Sequence, residues 1–479
     1  MAKQLFNSSE SSNFILNLTE EKYAKMASFG MLSALFTTSV ATAIPVIAHD
    51  SGLYILSAAG LALSGVVCMI IAIIALMKKY VSGKLVLPVC AFGAMLIWGV
   101  ISLINSYDKG IAFYGYNGRG EGLLAIAFYG CFFVTAATLR RGNVFGTVIK
   151  GLVGVGLLNS LFGLIQVFTG KISHFRMIAF DIQANAASGL SQSPLFLAMT
   201  LTLSLIAALA AFICAEKTVH KVVYIVSACI FSFVMMFTYS LIGICGAVFA
   251  IIAAIVIVFV TKSNKANLLS ALAVIVPAVA AVMIVNAGMI GTLKSYRLYD
   301  GRILWFADSY YRLSSSGAPD STKVDLDDTY DVYYTLNRKA ANIVSKNPLT
   351  GTGPDELVFP QLYTFGELEQ DDNASIEEVV MQNTGTFDKV YNEYLYTAAT
   401  RGIPSLIALV AVLLPVLFVG FRNAKKGDWT RKCIYILTVG GVLIFFIACS
   451  NTAFSPIFWT LAGCSVAQIP AAEKESEKK

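Results

Sequence analysis

Residues 53–77 read LYILSAAGLALSGVVCMIIAIIALM, and the next two residues are Lys78 and Lys79. The stretch carries no charge over more than the roughly 20 apolar residues that cross a bilayer core. In hydrocarbon an unbonded backbone group is costly, so such a segment spans as a helix with its N–H groups bonded internally. The paired lysines after it mark the side on which it stops. The same grammar recurs along the chain. Apolar runs lie near 29–48, 53–77, 85–105, 122–139, 144–168, 194–214, 222–240, 242–261, 268–290, 403–421, 433–449 and 454–470. They predict an all-α polytopic membrane protein of about 12 transmembrane helices. The seventh and eighth are divided at Ser240 and Gly243, because the apolar run there is too long for one helix.

Composition agrees. Of 479 residues, 57% are hydrophobic and 13% charged, with mean hydropathy +0.70. Soluble domains run about 25% charged, so a soluble enzyme is excluded, as are disorder, collagen and coiled coil. Alternate connections carry basic groups: Lys3, Lys22 and Lys25; Lys78, Lys79 and Lys84; Arg140 and Arg141; Lys217 and Lys221; Lys262 and Lys265; Arg422 through Lys432; Lys474, Lys478 and Lys479. The other short connections carry only Lys109, Arg119, Lys171 and Arg176. Cytoplasmic loops are the lysine- and arginine-rich ones, so both termini are expected inside. The divisions expected are a cytoplasmic tail at 1–28, nine spans over 29–290, a large extracytoplasmic loop at 291–402, three spans over 403–470 and a cytoplasmic tail at 471–479. No cleavable signal peptide is read at the start. Nine cysteines fall in or beside spans without CxxC spacing, which reads as small buried hydrophobes rather than a disulfide or zinc framework.

The large loop is different in kind. Residues 291–391 hold 9 basic and 16 acidic side chains, a net −7 within a chain of net +6. Most of the remaining positive charge sits in cytoplasmic loops and sets orientation, so it gives no reason to expect a nucleic-acid partner. A loop this long is functional or disordered. Arg302–Leu313 and Tyr330–Lys346 read as helices, the latter stopping at Asn347-Pro348 and turning through Gly351-Thr-Gly-Pro354. Asp388–Thr400 reads as an amphipathic helix at the membrane surface, with Gly402-Ile-Pro404 starting the tenth span. Charges inside the spans are nearly absent, which argues against an ion-coupled transporter. Arg119, Arg176, Arg297 and Arg302 are expected on the outer side, where a planar guanidinium suits a lipid-linked phosphate or diphosphate. The acidic run Asp325, Asp327 and Asp328 lacks the rest of a calcium loop.

Three blocks together resemble the O-antigen ligase and O-antigen polymerase family. They are Gly301-Arg302-Ile-Leu-Trp305, Asn347-Pro-Leu-Thr-Gly351-Thr-Gly353-Pro354, and Asp388-Lys-Val-Tyr-Asn392-Glu-Tyr-Leu395 followed by Gly402-Ile403. Two further stretches are similar to family elements: Arg119-Gly-Glu-Gly122, and Gly189-Leu-Ser-Gln-Ser-Pro194 with Ala198. The resemblance implies a metal-independent glycosyltransferase, without cofactor, in the bacterial cytoplasmic membrane. It would take a glycan from an undecaprenyl-diphosphate-linked donor and pass it to a glycan, lipid or protein acceptor.

Arginines aimed at the leaving diphosphate would stabilise its charge, with Arg302 first, Arg119 second, and Arg297 and Arg176 as further candidates. A general base would take the acceptor's proton. The family's His-Asn is Tyr391-Asn392 here, and a tyrosine of ordinary pKa near 10 is a poor base at neutral pH. Tyr391 and Asn392 are therefore expected to order the acceptor, and Asp388 or Glu393 to act as base. Gly351 and Gly353 would shape the loop turn. The family's Ser-Arg-Gly before the eighth span is Tyr239-Ser240-Leu241 here, so one arginine is missing. Two other classes fit the same composition: a carrier or flippase for a lipid-linked or polar solute, and a non-catalytic binder of lipid-linked glycan.

Overall fold

A computed structural model describes residues 18–48, 55–116, 119–169, 187–238, 240–262, 268–273, 275–276, 337, 340–357 and 389–468. Among them every regular element is helical. In chain order these are α1 (Glu20–Ala48), α2 (Ile55–Met77), α3 (Val86–Ile104), α4 (Lys109–Tyr114), α5 (Leu123–Ala137) and α6 (Val144–Thr169). They continue with α7 (Pro194–Cys214), α8 (Thr218–Met236), α9 (Leu241–Thr261), α10 (Glu393–Lys426), α11 (Trp429–Ile444) and α12 (Ser455–Val466). Seven helices are long and apolar enough to cross a membrane, and three shorter apolar ones stand beside them, among the described residues. The expected count of twelve is therefore carried only in part. Of the ninth expected span only 268–273 and 275–276 are described, and these are helical. The expected break at Ser240 is present: α8 ends at Met236 and the Ser240 hydroxyl accepts from Gly243 N at 3.1 Å, capping α9.

Two helices form the centre. Helix α7 is buried from Pro194 to Ile213, packed among α6, α8, α9 and α11. Helix α12 is buried along its whole length, against α5, α10 and α11. Around them the outer helices expose large apolar side chains such as Leu63, Ile70, Leu87, Ile97 and Phe418. A water-soluble fold would not leave so broad an apolar surface; lipid covers it at no cost.

Helices α11 and α12 are shorter than a span because the segment joining them folds back inside the bundle. Ala448, Cys449, Asn451 and Thr452 are all buried there. Irregular backbone at this depth needs internal partners. The Asn451 side-chain oxygen accepts from Ala453 N and Phe454 N, and Asn451 N donates to Ser455 Oγ. A second inserted segment precedes α7. Gln166 Oε1 accepts from Ser188 N and Gly189 N, and Asn159 Oδ1 accepts from Leu190 N. Basic residues gather at the opposite end of the bundle. Arg140 lies over the Tyr80 ring at 4.4 Å, Arg431 over Phe145 at 5.4 Å, and Lys432 donates to the Val260 carbonyl.

Of the stretch expected as a surface helix, the described part, 389–400, departs from expectation. Glu393 opens α10 and the segment is packed into the bundle, with Tyr396 through Arg401 buried, rather than laid along a membrane surface. Lys389 and Val390, just before it, are buried too. Helix packing in lipid relies on small residues at close crossings. A Cβ at Gly463 of α12 would collide with the Phe133 carbonyl of α5, a backbone group that cannot rotate away. Gly463→Val is expected to cost about 1–3 kcal/mol by overpacking, read as a lower melting temperature of the detergent-purified protein. An unchanged melting temperature would contradict this crossing.

Candidate functional site

The site begins with a broken helix. Gly402 sits at φ +80° inside α10, and Pro404 follows. Proline has no N–H and glycine tolerates positive φ, so the regular bonds to Ala399 and Thr400 are lost at this point. The chain from Pro348 to Gly353 replaces them. Ile403 N donates to the Pro348 carbonyl at 2.7 Å, Thr352 N to Ala399 O at 3.0 Å, and Gly353 N to Thr400 O at 2.9 Å. Helix α3 adds two further ties: Ser102 Oγ donates to Thr400 O, and Trp98 Nε1 to Leu349 O. Gly351 lies at φ +64° and so close to the α10 backbone that a Cβ would strike Thr400. The expected turn thus serves as a plug that completes the break in α10.

Immediately after this plug, Asp355 turns inward to meet Lys389. The Lys389 ammonium donates to Glu121 Oε2 at 2.6 Å, to Asp355 Oδ1 at 2.9 Å and to the Tyr396 hydroxyl at 2.9 Å. These side chains are 3% exposed or less at both ion pairs. Tyr396 donates onward to Asp355 Oδ1, and Tyr129 donates to Glu121 Oε1. Asp355 Oδ2 accepts from Tyr116 N at 2.8 Å, and Glu356 accepts from Tyr107 N and Asp108 N. Burial works against the charge on Lys389, but Asp355 and Glu121 outweigh it and hold its pKa well above the usual range. Burial also raises the Glu121 carboxyl, against the pull of Lys389. One ammonium thus faces two carboxylates, Asp355 and Glu121.

A second polar network adjoins the first. Glu393 Oε1 accepts from Thr397 Oγ1 and from Arg401 at 3.4 Å, while Glu393 Oε2 accepts from Ser450 N at 2.7 Å. Glu393 N donates to the Phe445 and Ala448 carbonyls, which holds the inserted 445–454 segment. A cavity of about 20 Å³ lies between the two networks, lined by Glu121, Tyr129, Asp355, Glu393, Tyr396 and Arg401 among others. It has room for one water molecule. The guanidinium of Arg119 lies over the Phe196 ring at 5.3 Å, in the first turn of α7. Cys449 lies within electrostatic reach of Lys389, Glu121, Glu393 and Arg119, so all four share this end of the bundle.

Of the residues expected from sequence, Arg119, Gly351, Gly353, Tyr391, Asn392 and Glu393 fall together here. Tyr391 is buried within the apolar core. Asn392 caps α10, its side-chain oxygen accepting from Leu395 N at 3.0 Å. Glu393 is engaged by Arg401, Thr397 and Ser450, a different setting from the one expected of a base. Gly353 lies at φ +127° beside Glu356. Asp388, Arg176, Arg297 and Arg302 lie outside the described residues, as does the expected helix Arg302–Leu313. Sequence reading missed Lys389, Glu121, Asp355, Tyr396 and Arg401 as site residues. A signal existed for four of them: Glu121, Asp355, Lys389 and Arg401 are charges inside or directly beside the quoted motifs.

Residues 225–410 match a family model described as O-antigen ligase. The match takes in the plug, Lys389 and the first half of α10, and it bears out the resemblance read from the motifs. No curated protein matches the chain.

Removing one partner of a buried ion pair costs about 3–5 kcal/mol. Lys389→Met is expected to lose that much unfolding free energy, measured by chemical denaturation in detergent; a loss below about 1 kcal/mol would contradict the cluster. Gly402→Ala puts a Cβ into the Leu349 carbonyl at a strained φ. It is expected to cost about 1–3 kcal/mol and to speed limited trypsin cleavage at Lys346 by loosening the plug. Unaltered cleavage would count against the docking described.

Proposed function

We propose that the chain transfers a glycan from an undecaprenyl-diphosphate-linked donor to an acceptor, as a ligase or polymerase, at the outer face of the bacterial cytoplasmic membrane. Both termini are then cytoplasmic and the 291–402 loop extracytoplasmic. The observation that carries the reading is convergence. Three motif blocks far apart in the chain, around Arg119–Gly122, Gly351–Asp355 and Lys389–Glu393, meet at one end of an apolar bundle. That end also carries Arg119 beside the N-terminus of α7, where helix dipole and guanidinium both favour an anion.

In the reaction, an acceptor hydroxyl attacks the anomeric carbon of the donor sugar. The new C–O bond forms as the bond from that carbon to the diphosphate oxygen breaks, and the lipid diphosphate leaves with the electron pair. Arg119 stabilises that departing charge, with Arg302, Arg297 and Arg176 as further diphosphate ligands. Asp388 takes the acceptor's proton, because the Glu393 carboxylate is already engaged by Arg401 and Ser450 N. Asn392, only part-buried at the start of α10, orders the acceptor. No metal is needed, since guanidinium groups supply the positive charge.

The test is a transfer assay with the protein in lipid nanodiscs, undecaprenyl-diphosphate-linked glycan as donor, and EDTA present. Glycosylated acceptor is expected, and Arg119→Ala is expected to lower kcat/KM by about 100-fold or more, the loss typical of removing one oxyanion ligand. Donor that binds and is never turned over, or that crosses sealed vesicles unaltered, would overturn the proposal in favour of a receptor or a carrier.

A further inference from the structure

We propose that Lys389 is a positioning residue for Arg119, setting donor affinity without touching the donor. The inference rests on the reading of Arg119 as a diphosphate ligand.

The geometry points to it from both ends of one loop. Arg119 sits on the connection between α4 and α5, which is pinched at its neck: a Cβ on Gly115 would collide with Glu121 N, and one on Gly122 with Gly115 N. At the near end of the loop, Tyr116 N donates to Asp355 Oδ2 at 2.8 Å. At the far end stands Glu121, two residues after Arg119. Arg119 N and Gly120 N both bond back to the Tyr116 carbonyl, at 2.9 and 3.1 Å, so the backbone around the guanidinium is tied to the same near end. The two carboxylates that hold the loop, Asp355 and Glu121, share Lys389 as counter-ion. They also repel one another: each is close enough that Asp355 pushes the Glu121 carboxyl upward.

Lys389 therefore does two things at once. Its charge cancels a repulsion that would otherwise open the neck, and its three protons, directed to Glu121, Asp355 and Tyr396, fix the distances between the groups. A tetrahedral ammonium fits that tripod; a planar guanidinium does not. With the neck closed, Arg119 is held over Phe196 at the start of α7. With the neck open, the guanidinium is still present but no longer aimed, and binding then carries the cost of ordering it again.

The experiment compares Lys389→Met/Glu121→Gln, which removes the repulsion but leaves the neck without the ammonium tripod that ties it, with Lys389→Arg, which keeps the charge and loses the tripod. Both are assayed for transfer in nanodiscs, corrected for folded protein, with donor and acceptor KM measured separately. The expected result is a donor KM raised about tenfold or more with acceptor KM within about twofold of wild type, each tenfold being one decade of affinity. If the double variant does not fold, Lys389→Arg carries the test alone. Donor KM at the wild-type value, or both KM values rising together, overturns the proposal in favour of a purely structural lysine. Arg119→Ala separates the two readings. If it raises donor KM while the Lys389 variants do not, the positioning role alone fails. If it leaves donor KM unchanged, the diphosphate reading fails and takes the positioning role with it.

Discussion

A single buried ammonium organises one end of this protein. Lys389 reaches Glu121 from the α4–α5 connection, Asp355 from the turn that follows the plug and Tyr396 from α10. Those three segments are distant in sequence; α10 is fixed by its own apolar packing, whereas the α4–α5 connection and the turn at Asp355 are short and polar. Burying an unpaired charge is prohibitive, so once Lys389 is inside, the carboxylates must follow it. Register and approach of the segments are thereby set to within a hydrogen bond. The net charge of the 291–391 loop takes on a different meaning in this light. Some of its charged groups, Asp355, Glu356 and Lys389, are not solvated at all but turned into the protein.

The second constraint is backbone satisfaction in an apolar medium. Three irregular segments, 187–193, 348–357 and 445–454, enter the same end of the bundle. Each is there only because side chains or broken helices supply partners. Gln166 and Asn159 serve the first, the interrupted α10 serves the second, and Glu393 with Asn451 serves the third. The inserted segments also shorten α11 and α12, which opens space below the end of the bundle for a polar cavity and for the ion networks around it. A membrane protein with simple full-length spans would have no such recess. In that sense the recess and the irregular backbone are one feature.

Much of the fold was legible in the chain because it is written locally. Apolar runs and their basic flanks placed most of the helices within a few residues; Pro194 after Ser193 marked the start of α7 to the residue. The break at Gly402-Ile-Pro404 and the turn at Gly351 were legible for the same reason, since each follows from what glycine and proline do to a single bond. The lengths of α11 and α12 were not, because an apolar run does not reveal that its end leaves the helix while staying buried. Nor was the ion cluster. Glu121 and Lys389 are paired across 268 positions with no period to announce them. In sequence, Lys389 stands in an acidic loop and Glu121 in a glycine-rich one, and both look solvated. The motif resemblance brought attention to the right stretches but to neighbouring residues, Asp388 and Arg119, because it weighs chemistry at the substrate rather than the charges that hold the segments in place.

The proposed reaction moves a glycan from a lipid diphosphate to an acceptor where these segments converge. Its most direct test is the stoichiometry of products from the reconstituted wild-type protein, read by mass spectrometry. One undecaprenyl diphosphate is expected to be released for each glycosidic bond formed on the acceptor. Donor recovered intact on the opposite side of a sealed vesicle, or lipid diphosphate released with no glycan on the acceptor, would contradict it.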